Sequence, residues 1–81
     1  MGIESYDYNH EERILSWDTV PSATGYYVEY KKEDAVSWEF LYEGQENQCP
    51  FDKPAGRYVI RGKSKPDPGE PGLPRIIVVP E

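Results

Sequence analysis

The chain is short of every residue that could hold so small a protein together by means other than packing. A single cysteine, Cys49, excludes an internal disulfide and any four-cysteine metal site. No apolar run approaches the roughly 18 residues of a membrane span. The N-terminal MGIESYDYNHEE has neither the basic start nor the apolar stretch of a signal peptide. Tyr6 stands where a myristoylation motif wants Ser or Thr. The expectation is a soluble protein stabilised by its core. Basic residues are also scarce, nine against fifteen acidic, for a net charge of −6. They are distributed unevenly: residues 1–52 carry a net charge of −9 and residues 53–81 a net charge of +3. The basic group Arg57, Arg61, Lys63 and Lys65 falls on or beside one candidate strand. Pairing with acidic neighbours such as Glu29 explains it better than a nucleic-acid footprint does.

What is abundant is aromatic. Seven Tyr, two Trp and two Phe in 81 residues supply bulk that fits pleated surfaces better than helices. Eight Pro and seven Gly punctuate the apolar runs and leave no room for a long helix. A chain of this length buries only about 60 to 65% of its unfolded surface, so it forms one domain, residues 1–81, with a compact core.

Period-two alternation marks seven short strands. They are Ile3 to Tyr8, Arg13 to Asp18, Tyr26 to Lys32, Ser37 to Glu43, Gln48 to Phe51, Arg57 to Lys63 and Arg75 to Val79. The stretch Ile14 to Tyr30 organises the rest, because Leu15 and Trp17 share one face of their strand and Tyr26, Val28 and Tyr30 share one face of theirs. With Tyr58 and Ile60 these form the expected core. Trp38, Phe40 and Tyr42 alternate with Glu39, Leu41 and Glu43 on the fourth strand. Pro50 confines the fifth strand to a sheet edge. The fold class is all-β, a seven-stranded antiparallel sandwich of two sheets.

Several of these residues resemble a fibronectin type III domain over nearly the whole chain. They are L-x-W at Leu15 to Trp17, G-Y-x-V-x-Y at Gly25 to Tyr30, Trp38 after the third strand, and P-x-x-x-Y at Pro54 to Tyr58. The resemblance implies that topology, with the third and sixth strands as neighbours. It also implies that Trp17 packs between the sheets and that Tyr58 makes a corner contact tying a connection to the core. Two positions depart from the pattern. Asp52 stands where the family has Leu two places before the proline, with Phe51 one place earlier, and Gly62 stands where a larger apolar residue is usual.

The residues offer little chemistry. Ser16, His10 and Asp18 are the members of a hydrolase reading, but Ser16 lies mid-strand without an elbow or oxyanion hole. Glu11 with Glu12 and Glu33 with Asp34 lack calcium-loop spacing. Cys49 has no basic neighbour, and no Arg-Gly-Asp occurs. No catalytic residue, metal, cofactor or small-molecule substrate is therefore expected, and the function read from the chain is protein binding.

Two regions compete for that role. One is an outward strip with Tyr27 and Val59 side by side, flanked by Glu29 and Arg61 and extended by the last strand, where Ile77 is the candidate contact. That last strand is also an edge open to strand addition. The other is the proline-rich loop Ser64 to Pro74, with Lys65, Pro66, Asp67, Pro68 and Pro71 and two P-x-x-P spacings. Similar domains occur as small head-decorating or tail parts of bacteriophage virions. They also occur as spacer or adhesion domains of longer extracellular proteins. The Met1 start and single complete domain lead us to expect the first; the expected location is a virion, or for the second the extracellular space or cell surface.

Overall fold

The computed structural model describes residues 2, 3, 5–65 and 72–81, and among them there is no helix. Seven strands form: β1 (Tyr6–Asn9), β2 (Ile14–Trp17), β3 (Gly25–Lys32), β4 (Glu39–Gly44), β5 (Gln48–Pro50), β6 (Gly56–Lys65) and β7 (Arg75–Val79). They build two antiparallel sheets that close on one core. The first has the order β1-β2-β5 and the second the order β4-β3-β6-β7. The third and sixth strands are neighbours in register from Gly25↔Lys65 to Lys32↔Tyr58.

Alternation places the core as expected on β2, β3 and β6. Leu15, Trp17, Tyr26, Val28, Tyr58 and Ile60 are all buried, and Tyr30 is half-buried at the margin. Aromatic rings organise that core around two centres. At one, Trp17 of the first sheet meets Tyr26 at 5.9 Å and Tyr42 at 5.8 Å from the second. At the other, Phe51 lies edge-on to Tyr58 at 5.2 Å, Tyr30 at 5.6 Å and Tyr8 at 6.0 Å. Such edge-to-face pairs stabilise beyond their area burial, by about 0.5 to 1.5 kcal/mol each.

Phe51 shows how the chain fills its core although Asp52 is polar. Its amide donates to Arg13 at 2.9 Å, which extends the β2–β5 pairing one residue past Pro50. The ring is fully buried, while Asp52 turns outward to Arg13 at 3.3 Å. The apolar side chain has moved one position along the chain without leaving the core.

The connection into β6 is tied down by Tyr58, whose hydroxyl donates to the Pro54 carbonyl at 2.7 Å. Tyr58→Phe keeps the ring but leaves that carbonyl without its donor. It should lower stability by about 0.5 to 1.5 kcal/mol, measured by urea denaturation; no change would mean that water satisfies the carbonyl equally well.

Three expectations are corrected. The first strand is shorter than Ile3 to Tyr8, because Gly2 pairs instead with Lys63 of β6 in the other sheet. Lys65 belongs to β6, not to a loop, while Pro66, Asp67, Pro68 and Pro71 lie outside the described residues. Finally, the even alternation of Trp38, Phe40 and Tyr42 is broken by a bulge. Val28 pairs with Tyr42 but Glu29 pairs with Phe40, so Leu41 is the extra residue. A bulge reverses the facing of everything beyond it. Tyr42 points inward to Trp17, whereas Phe40 faces out.

Candidate interaction face

The outward surface of the four-stranded sheet follows from register, since directly opposed residues share a face. On β6 the outward row is Arg57, Val59, Arg61, Lys63 and Lys65, all exposed or half-buried. Three of these cations, four residues apart, are held by acids from the N-terminal part of the chain. Arg57 bonds Glu33 at 3.1 Å, Arg61 bonds Glu29 at 2.8 Å, and Lys65 pairs with Glu43. Lys65 reaches Glu43 across β3 because its opposite residue there is Gly25, which has no side chain to obstruct it. The charge asymmetry of the sequence is thus resolved largely within one sheet, and Arg61 with Glu29 forms the pair expected from the sequence.

That central pair is covered from one side. Trp38 lies over the Arg61 guanidinium with 4.1 Å from centroid to Cζ, and the Lys31 ammonium sits 5.3 Å from the same ring. A cation against an aromatic face gains about 0.5 to 1 kcal/mol at exposed sites. Tyr27 and Phe40 are in contact next to it, with centroids 5.8 Å apart. Further along the sheet Ile76, opposite Val59, and Val78, opposite Arg57, are 52% and 53% exposed; Phe40 is 59% exposed. The face is therefore an aromatic group and an aliphatic group separated by a fixed ion pair.

The expected site residues fall on this face with two corrections. Tyr27, Glu29, Val59 and Arg61 all point outward, but Tyr27 is not beside Val59. Tyr27 stands opposite Lys63 and Val59 opposite Lys31, with the Glu29–Arg61 pair between them. Ile77 is not on the face at all. It is opposite Tyr58 and 7% exposed, so the parity of β7 sends Ile77 and Val79 into the core and Ile76 and Val78 to the surface. Phe40 and Trp38 were missed as site residues. The bulge in β4 is what brings Phe40 out, and simple alternation has no signal for it.

The other chemical candidates are scattered. The Ser16 hydroxyl donates to the Asp7 carbonyl at 3.4 Å, and the His10 ring packs 6.5 Å from that of Tyr8. Cys49 is buried opposite Leu15, and burial pushes its thiol up to about 11, which disfavours the reactive thiolate. Among the described residues no group of three or more His, Cys, Asp or Glu could hold a metal ion. An open recess beside Arg57 is lined by Lys32, Glu33, Asp34, Ala55 and Gly56, and Arg57 there is bonded to Glu33.

Compared with protein-family models, curated proteins and solved structures, the chain matches none of them.

Proposed function

We propose that this chain is a non-catalytic interaction module of the fibronectin type III kind, docking through the outward face of β4, β3, β6 and β7. One observation carries the reading. In a chain this small, Phe40, Ile76 and Val78 stand more than half exposed on a single sheet face around an ordered Glu29–Arg61–Trp38 group. Exposed apolar side chains collected on one face and rimmed by charge are the signature of a partner surface, and aromatic residues with arginine dominate such surfaces energetically. The family reading is supported by the pairing of the third and sixth strands, by Trp17 between the sheets and by the Tyr58 contact with Pro54. The partner is a protein, and the module is a docking or decorating part of a larger assembly such as a bacteriophage virion.

The test is a comparison of wild type with the double variant Tyr27→Ser/Phe40→Ser as baits against an extract of the source. Both positions face outward, so the variant should keep the wild-type melting temperature within a few degrees. It should retain the specific partner at least about tenfold less well, a loss of about 1.4 kcal/mol. Equal recovery by both baits would move the site off this face.

A second reading, a spacer in a longer extracellular protein, draws on one feature. Gly2 lies at Lys63 and Val79 at Gly56, towards opposite ends of β6, so a chain could enter at one end of the domain and leave at the other. The length of the reading frame that encodes it decides between the two.

A further inference from the structure

Among the described residues each sheet has two edges, and three of the four are blunted. β1 is four residues long with Asp7 and Asn9 exposed; β5 is three residues long and ends at Pro50; β4 is bulged and carries Glu39 and Glu43. These are the means by which edges are kept from pairing with other chains. β7 has none of them between Ile76 and Val79, where every residue is β-branched and uncharged.

Which backbone groups this edge presents can be worked out from the ladder. The carbonyls of Arg57 and Lys65 accept from Glu33 and Thr24 on the β3 side, at 3.2 and 2.8 Å. The Gly62 carbonyl accepts from Ile3 and Gly72 on the other side, at 2.9 Å each. Register along β6 is unbroken, and backbone groups alternate in direction along a regular strand. Odd-numbered residues of β6 therefore bond β3, and even-numbered ones bond β7. It follows that Ile77 and Arg75, opposite Tyr58 and Ile60, bond β6, whereas Ile76 and Val78 turn both N–H and C=O away from the sheet. The next positions of the same parity are Pro74 and Pro80, which have no N–H to offer. The edge is a short donor–acceptor row, bracketed by prolines placed symmetrically about Ile77.

We propose that β7 pairs antiparallel with β7 of a second copy of this chain, about a two-fold axis at Ile77. In that register Ile76 faces the partner copy's Val78 and Val78 faces its Ile76, each pair exchanging both hydrogen bonds. Pro74 then faces the partner copy's Pro80, so no donor or acceptor is set against a proline within the paired row. A slip of two residues, which opposes Val78 with itself, sets Ile76 against Pro80 and forfeits a hydrogen bond on each side. An isologous contact requires such self-complementarity, and an unrelated strand would have to match the proline spacing by chance. The exposed Ile76 and Val78 of each copy cover those of the other, with Val59 behind them.

The net charge of −6 on each copy opposes the contact, and salt relieves that repulsion. The area is small, so the dimer is weak and concentration-dependent. The contact shares Ile76 and Val78 with the proposed docking face but uses neither Tyr27 nor Phe40, so Tyr27→Ser/Phe40→Ser should dimerise as wild type does.

Sedimentation equilibrium of the whole chain from roughly 10 µM to 1 mM should show a dimer fraction that rises with concentration and with added salt. Val78→Pro removes only an outward N–H and leaves the bonds to β6 in place. It should raise the dissociation constant at least about tenfold, and Ile76→Lys should do the same by placing a charge against the partner copy's Val78. Both variants should keep the wild-type melting temperature at dilution. In wild type the amides of Ile76 and Val78 should be protected from hydrogen exchange at high concentration and unprotected when dilute. A chain that stays monomeric throughout, or a dimer that both variants form undiminished, would overturn the proposal; the first result leaves the edge to a foreign strand.

Discussion

Trp17→Ala should lower stability by about 3 to 5 kcal/mol, the usual cost of removing a buried tryptophan, and chemical denaturation measures it directly. A domain of this size has about 5 to 10 kcal/mol to lose, so the variant stands near the unfolding threshold. The reason lies in position as much as in size. Trp17 is 3% exposed and touches Tyr26 and Tyr42 of the opposite sheet as well as Tyr6 of its own, at 5.8 to 6.2 Å. An asparagine in the connection between β4 and β5 fixes its backbone, with Asn47 Nδ2 donating to the Trp17 carbonyl at 2.8 Å and the Trp17 amide donating to the Asn47 carbonyl at 3.0 Å. Neighbours anchored in two sheets cannot close over the space a missing indole leaves. A loss below about 1 kcal/mol would mean that the sheets do collapse and that Trp17 does not hold them apart.

Strand positions and most of the core were legible in the sequence because alternation needs only local pattern. Leu15, Trp17, Tyr26, Val28, Tyr58 and Ile60 are buried where parity put them. Ile3, Cys49, Phe51, Ile77 and Val79 complete the core, and the reasons they escaped notice are physical. Phe51 and Ile3 sit just outside the strands that form, and they are fixed by bonds to Arg13 and Gly62 across the fold, which no local pattern announces. Ile77 and Val79 sit in a run of four aliphatic residues, which reads the same in either parity. Only pairing with Tyr58 and Gly56 distinguishes the two. For the interaction face, the Glu29–Arg61 pair was legible from charge and neighbouring strands, but Phe40 was not. A single extra residue at Leu41 changes its side of the sheet, and such a bulge leaves no compositional trace.

Ile3→Ala is expected to cost about 2 to 5 kcal/mol, an unusual sensitivity for a residue this close to a terminus, where chains are commonly loose unless tied down. Ile3 is tied on three sides. Its side chain is 1% exposed, its amide donates to the Gly62 carbonyl at 2.9 Å, and Gly72 bonds the same carbonyl. The two glycines make the room it occupies. A Cβ on Gly72 would come within 2.2 Å of the Ile3 carbonyl oxygen, and one on Gly62 within 3.0 Å of Ile3 Cδ1 and 2.9 Å of the Tyr27 carbonyl oxygen. The large apolar residue absent from β6 at Gly62 is thus supplied by Ile3. It enters from a segment that leaves the first sheet and pairs with the second through Gly2 and Lys63. Gly62→Ala should itself cost about 1 to 3 kcal/mol, because the Tyr27 backbone cannot give way as a side chain could. In the double variant Ile3→Ala/Gly62→Ala the new methyl meets less of Ile3, and the combined loss should fall short of the sum of the two single losses by about 0.5 kcal/mol or more. Urea denaturation of the three variants measures all of this. If Ile3→Ala loses under about 0.5 kcal/mol, or if the losses simply add, the N-terminal segment does not fill the space above Gly62.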